Sequence, residues 1–182
     1  MGTANKEYQA QLRQLAELML AVSGESVTMM KRNAPEQALK LKRQDEWGIY
    51  LEFLKVMFNL TDRLTALHIP IKAQLEFMNG LEDAVTTQLK TVLEPAFGNN
   101  ADQMEIVLTV GNAVAESRDL YEKYKFLITE DSKPKNELFQ AFAERVAQTL
   151  GASQNGQVIA AATLCASAII PAVSAVLQGQ AP

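Results

Sequence analysis

The segment from Glu46 to Leu67 constrains the fold most strongly, because drawn as a helix it is apolar around most of its circumference. At about 100° per residue, its polar side chains fall within roughly a third of the circumference. These polar residues are Glu52, Lys55, Asn59, Asp62 and Arg63. A helix with one narrow polar stripe is typical of the middle of a bundle rather than its edge. The sequence therefore predicts a central helix at about residues 46–67, and its disruption is expected to unfold the whole domain.

Helical spacing of apolar residues extends through the rest of the chain, and no segment indicates a strand more strongly than a helix. Apolar stripes predict further helices at about residues 4–22 or 4–30, 70–92, 102–128, 137–150 and 158–177. We expect a break at Pro35 with a new helix start, and a helix end at Glu94-Pro95. Gly111 is expected to mark a close helix crossing, and Asp102 with Glu105 has the form of a capping box. The sequence therefore predicts an all-α fold, a single bundle of about five to six helices with short loops.

Charge is distributed unevenly along the chain. Residues 1–43 carry 7 basic and 4 acidic side chains, residues 44–145 carry 10 and 17, and residues 146–182 carry none. This pattern suggests a helical bundle core at 1–150, followed by a flexible linker and an Ala-rich helix within 151–182. We expect this uncharged helix to pack on the bundle or on a partner subunit.

The uncharged run from Val158 to Leu177 is long enough to span a bilayer, so membrane anchoring by residues 158–177 is an alternative. Its Ala and Ser content and Pro171 weaken that interpretation, and no Lys or Arg flanks the run. Pro171 is expected to break or kink the helix. Burial in the domain or at a subunit contact is the favoured interpretation, and docking on another protein is a third.

Composition excludes several classes of function. A sequence pI of about 5.1 argues against general nucleic-acid binding, which needs a basic face. His68 is the only His and no Glu-x-x-His motif is present, so a di-metal bundle site is rejected and no cofactor is expected. Cys165 is the only Cys, and its apolar neighbours predict an inert thiol. The polar N-terminus has no apolar signal region, which predicts a cytoplasmic protein.

Three groups of residues are candidates for binding. The polar stripe of the central helix is either a polar site or a solvated strip with ion pairs. Adaptable apolar side chains predict a lining for a small apolar ligand, although Met and Phe at helical spacing are more often core residues: Met57, Phe58, Phe77 and Met78. A basic cluster suits a solvated face, an anionic lipid surface or an acidic partner: Lys31, Arg32, Lys40, Lys42 and Arg43.

No catalytic constellation is apparent, so the sequence favours a non-enzymatic, all-helical interaction or assembly protein. A homodimer or a protein partner is expected. The alternatives are a bundle that binds or senses a small, lipid-like apolar ligand, and a membrane-associated protein anchored by residues 158–177.

Overall fold

The computed structural model describes residues 7–97, 103–125 and 137–179. Within these ranges the chain forms seven helices and no strand, which confirms the all-α prediction. The helices are α1 (Gln9–Asn33), α2 (Pro35–Ala38), α3 (Arg43–His68), α4 (Ile71–Phe97), α5 (Gln103–Tyr121), α6 (Glu137–Thr149) and α7 (Gly156–Leu177). The count exceeds the expected five to six because α2 is a separate single turn after Ala34.

Helix α3 is the centre of the bundle, as its nearly continuous apolar surface predicts. It contacts α1, α4, α5, α6 and α7. Around α3 these helices follow one another in the order α5, α4, α1, α7, α6. Most of its middle is buried, from Glu52 to Thr61. The ring of outer helices has one open side, because α5 and α6 have no extensive backbone contact with each other within the described residues.

Contacts near the helix ends fix the direction of each helix. Lys31 at the end of α1 pairs with Glu46 at the start of α3, so these helices are antiparallel. Thr149 at the end of α6 lies beside Gly48, where an added Cβ would come within 3.1 Å of the Thr149 methyl group. Gly48 is therefore the glycine that permits a close helix approach. At Gly111, which was expected to have that role, the nearest neighbour is the flexible Glu82 carboxylate at 3.6 Å.

The connection between α6 and α7 is an ordered pair of turns rather than a flexible linker. Gly151 has a φ of +72°, and Ala152 N–H donates to the Ala147 carbonyl, which ends α6 in a Schellman motif. The Asn155 side chain then caps α7 by accepting from two backbone N–H groups, and its amide donates to the Asn33 carbonyl. Composition suggested flexibility, but these hydrogen bonds fix the turn against the end of α1.

Two prolines lie inside helices where the sequence predicted an end or a break. Helix α4 runs through Pro95 to Phe97, and α7 runs through Pro171 to Leu177. Pro95 lacks the N–H that would donate to the Thr91 carbonyl, and α4 ends two residues later at Phe97. Pro171 lies on the exposed face of α7, so its ring points away from the core. The predicted cap residue Asp102 lies outside the described residues.

Candidate functional site

The polar stripe of α3 faces the open side of the ring, between α5 and α6. Here α3 meets charged side chains of both neighbouring helices, and we call this group the polar seam: Glu52, Lys55, Asn59 and Arg63 of α3, Glu116 of α5 and Arg145 of α6. Asp62, the fifth residue of the stripe, is exposed beside it.

Glu52 is the centre of the polar seam and is only 5% exposed. Arg145 donates to both of its carboxylate oxygens, from Nε at 2.9 Å and from Nη2 at 3.0 Å. Lys55 Nζ lies 3.0 Å from the same carboxylate and 2.7 Å from Glu116. Two carboxylates and two cations therefore alternate across three helices, and their charges balance.

These contacts keep Glu52 ionised. Burial alone would raise the pKa of this carboxyl, but the Arg145 hydrogen bonds and the nearby Lys55 outweigh burial and lower it. The same bonds raise the pKa of Arg145. A general base that accepts a proton near neutral pH needs a raised carboxyl pKa. The seam thus has the properties of an ion-pair clamp that holds α6 and α5 on α3.

From Glu52 toward the C-terminal end of α3, the polar seam continues as a chain of hydrogen bonds. Arg63 donates to the Asn59 side chain at 2.8 Å and to the Tyr121 carbonyl at 2.7 Å. Burial lowers the pKa of the Arg63 guanidinium, which Asp62 and Glu122 counteract. Burial raises the pKa of the Tyr121 hydroxyl, and the nearby Arg145 partly counteracts this. Arg63 therefore satisfies the carbonyl of the last residue of α5, where the helix dipole favours a cation.

A second feature is an apolar groove of about 160 Å³ between α1 and α7, with Met57 of α3 in its lining. The residues around it are Leu18, Val22, Glu25, Ser26, Met29, Met57, Cys165, Ala168, Ile169 and Ala172. Cys165 is half-buried, and its Sγ lies 3.4 Å from Met29 Sδ. Burial raises the pKa of the Cys165 thiol, in keeping with the inert thiol expected from its neighbours.

The predicted apolar lining residues do not meet at one cavity. Met57 lines the groove, whereas Phe58 is buried in the general core. Phe77 packs edge-on against Tyr8 with ring centroids 5.5 Å apart, and Met78 accepts a hydrogen bond from Thr65. His68 is the last residue of α3, at the helix end where it was expected.

Sequence reasoning missed Glu116 and Arg145, although a signal for Arg145 exists. Arg145 follows Leu138 by seven residues and Phe142 by three, so it lies beside the buried stripe of α6. A charged residue at such a position has to find a buried partner. Among the described residues, no group of three or more His, Cys, Asp or Glu side chains is arranged to hold a metal ion.

Helix α7 is the only described helix long and apolar enough to cross a membrane by length and composition, with a mean hydropathy of 2.0. Core helices of soluble proteins pass the same test. Its buried residues lie on one face, against α1, α3 and α6, and include Val158, Ile169 and Val173. No protein-family model, curated protein or solved structure matches this chain.

Proposed function

We propose that this chain is a non-enzymatic interaction protein that self-associates through the outer face of α7. The observation that carries the proposal is that α7 has no charged side chain but buries only one face. Its exposed residues share the opposite face, and Leu164 among them is 69% exposed. They are Gly156, Gln157, Ala160, Leu164, Ser167, Ala168 and Pro171.

The occupant we propose for this face is a second copy of the chain. In a two-fold interface each patch meets its own image, so a charge near the two-fold axis meets its own copy. The net charge is −4, and an uncharged helix is a surface on which two copies meet without such repulsion. The small residues of α7 also permit close approach of two helix backbones.

The expected affinity follows from the size of the face. A helix of 22 residues is about 33 Å long and roughly 10 Å wide, so α7 alone supplies a few hundred Å² per protomer. Stable complexes bury about 800 Å² per partner. We therefore expect a weak dimer with a Kd in the micromolar range.

Sedimentation velocity of the full chain, from about 1 µM to about 200 µM, tests this proposal. The wild-type chain should shift from monomer to dimer, and Leu164→Asp should remain monomeric. Leu75→Asp is the matched control, because Leu75 is 71% exposed on α4. A wild-type chain that is monomeric throughout, or equal loss of association in both variants, would contradict the proposal.

The groove between α1 and α7 supports a second candidate function, the binding of a small apolar molecule. An apolar cavity of about 150 Å³ in an engineered protein binds benzene, so 160 Å³ suits a ligand of similar size. Benzene titration of the chain labelled at its Met methyl groups is the test. Met29 and Met57 should shift and Met78 should not. No shift, or an equal shift at Met78, would argue against a site in this groove.

Membrane insertion of α7 has less support. Insertion would withdraw Val158, Ile169 and Val173 from the core and expose the surfaces of α1, α3 and α6 that they cover. Flotation of the full chain with neutral vesicles tests this alternative, and we expect the protein to remain in the soluble fraction.

A further inference from the structure

The turn between α2 and α3 presents an exposed leucine on an ordered backbone. Leu39 is 89% exposed, more than any other large apolar side chain of the described residues, whereas Leu41 packs against the core. The Leu39 and Leu41 N–H groups donate to the carbonyls of Pro35 and Ala38. The Lys42 N–H donates to the Asp45 carboxylate at 2.9 Å. The exposure of Leu39 is therefore fixed by the turn.

Basic side chains lie at the same end of the bundle as this leucine, where the end of α1 meets the start of α3. Arg32, Lys40, Lys42 and Arg43 are exposed and form no ion pair within the part of the chain that the structure describes. With Leu39, we call these residues the basic end. Residues 31–46 together carry five basic and three acidic side chains, a balance of +2, so the remainder of the chain carries −6.

Two of the three acidic side chains have partners here. Glu46 pairs with Lys31, and Asp45 accepts the Lys42 backbone N–H, which leaves Glu36. The turn between α6 and α7 lies at the same end, since Asn155 donates to the Asn33 carbonyl, and residues 146–157 add no charge. Helix α5 runs parallel to α3, since Glu116 pairs with Lys55 and the Tyr121 carbonyl with Arg63, so its first turn with the exposed Glu105 also lies at this end. The positive surface is therefore local to Leu39 and the basic residues near it in the sequence.

We propose that the basic end docks on an anionic phospholipid membrane, with Leu39 inserted at the boundary between headgroups and acyl chains. Clustered Lys and Arg are attracted to anionic lipid, and an apolar side chain among them adds burial in the interface. A polyanion without an apolar layer would use the basic residues but not the leucine. The combination therefore favours lipid over a nucleic acid or an acidic protein.

The acidic remainder of the chain does not prevent this docking. Helix α3 has 26 residues and is about 39 Å long, so it extends well beyond the screening length of about 8 Å at physiological ionic strength. With the bundle standing on its basic end, acidic groups near the opposite end are screened from the lipid surface. This surface is also distinct from the outer face of α7, so the inference does not depend on self-association.

Co-sedimentation of the full chain with vesicles tests the inference, using phosphatidylcholine alone and with about 30 mol % phosphatidylserine. Binding should require phosphatidylserine. Leu39→Ala should weaken it about tenfold, and Lys40→Glu with Lys42→Glu should weaken it by two orders of magnitude or more. Leu75→Ala is the matched control and should bind as the wild type does. Because these side chains are exposed, each variant should retain the wild-type circular dichroism spectrum.

Three results would overturn the inference. The first is no binding to the phosphatidylserine vesicles. The second is salt-sensitive binding that Leu39→Ala leaves unchanged, which would identify a general polyanion surface. The third is equal weakening by Leu39→Ala and Leu75→Ala, which would indicate nonspecific apolar adsorption.

Discussion

Replacement of Arg145 by Met should destabilise the bundle through Glu52. The substitution keeps an apolar stem of similar length but removes both hydrogen bonds to a carboxylate that is 5% exposed. Removing one partner of a fully buried ion pair costs about 3–5 kcal/mol. The Arg145 side chain is 39% exposed and Lys55 still faces Glu52, so the cost is reduced. We expect a loss of about 2 kcal/mol, or roughly 4–8 °C in Tm.

A double variant separates two contributions to the lost stability: the loss of the ion pair itself and the cost of leaving a buried carboxylate unpaired. Adding Glu52→Leu to Arg145→Met removes the buried charge, while Lys55 retains Glu116 at 2.7 Å. Replacing both partners of a buried pair by apolar groups is often neutral. The double variant should therefore recover at least half of the stability lost in Arg145→Met.

Urea unfolding followed by far-ultraviolet circular dichroism measures both free energies. Arg13→Met is the matched control, because Arg13 pairs with Glu17 at side-chain exposures of 78% and 55%. Its effect should be below about 0.5 kcal/mol. The interpretation of the polar seam as a clamp would be refuted if Arg145→Met lost no more stability than Arg13→Met. It would also be refuted if the double variant were less stable than Arg145→Met.

Glu52 also makes the stability of the bundle depend on pH in the acid range. The pKa of Glu52 is lower in the folded chain than that of an ordinary Glu carboxyl, because Arg145 and Lys55 outweigh burial, so folding favours the ionised form. This contribution to stability is present above the unfolded pKa and is lost as pH falls through the folded pKa. Below about pH 4.5 the wild type should lose stability more steeply than the double variant.

Three further predictions concern single positions, each measured by urea unfolding unless stated. Gly111→Ala should stabilise the chain by up to about 1 kcal/mol, because Gly111 is helical with space for a methyl group. Gly151→Ala should destabilise the chain by about 1 kcal/mol, because Gly151 has a φ of +72°. Equal effects of the two substitutions would contradict this reasoning. Asn155→Ala should cost about 1 kcal/mol by removing the cap of α7, and an unchanged midpoint would show that the cap contributes little. Burial raises the pKa of Tyr50 to about 12, so stability should fall as pH rises from 10 toward 12. Tyr50→Phe should reduce that fall, and an unchanged alkaline profile would exclude Tyr50 as its source.

The sequence predicted the elements of this fold well where a local rule decided them. Helix α3 was expected at about residues 46–67 and spans Arg43–His68. A helix that is apolar except for one polar stripe can bury its surface only in the middle of a bundle. The break at Ala34 follows from Pro35, and the end of α6 follows from Gly151. The helix end expected at Glu94-Pro95 falls two residues later, and α7 does not break at Pro171, because the packing of a whole helix outweighs one missing backbone bond.

The binding surfaces were less predictable, because they depend on residues far apart in the chain. The polar stripe was recognised, but its partner Arg145 lies 93 residues beyond Glu52. Met57 could be named as a candidate lining residue, yet the groove it lines is formed by α1 and α7. Leu39 could not be identified as a surface residue from the sequence, because a single leucine becomes informative only when its exposure is known.

By itself, the sequence determined that the chain is helical, that α3 is central and that the C-terminal helix is uncharged. These properties follow from periodicity and composition, which act over one or two helical turns. The tertiary structure decided which side of the ring stays open, where Glu52 finds its cations and which face of α7 is exposed. Those outcomes depend on how five helices share the surface of α3, and that packing is set by the shapes of distant segments.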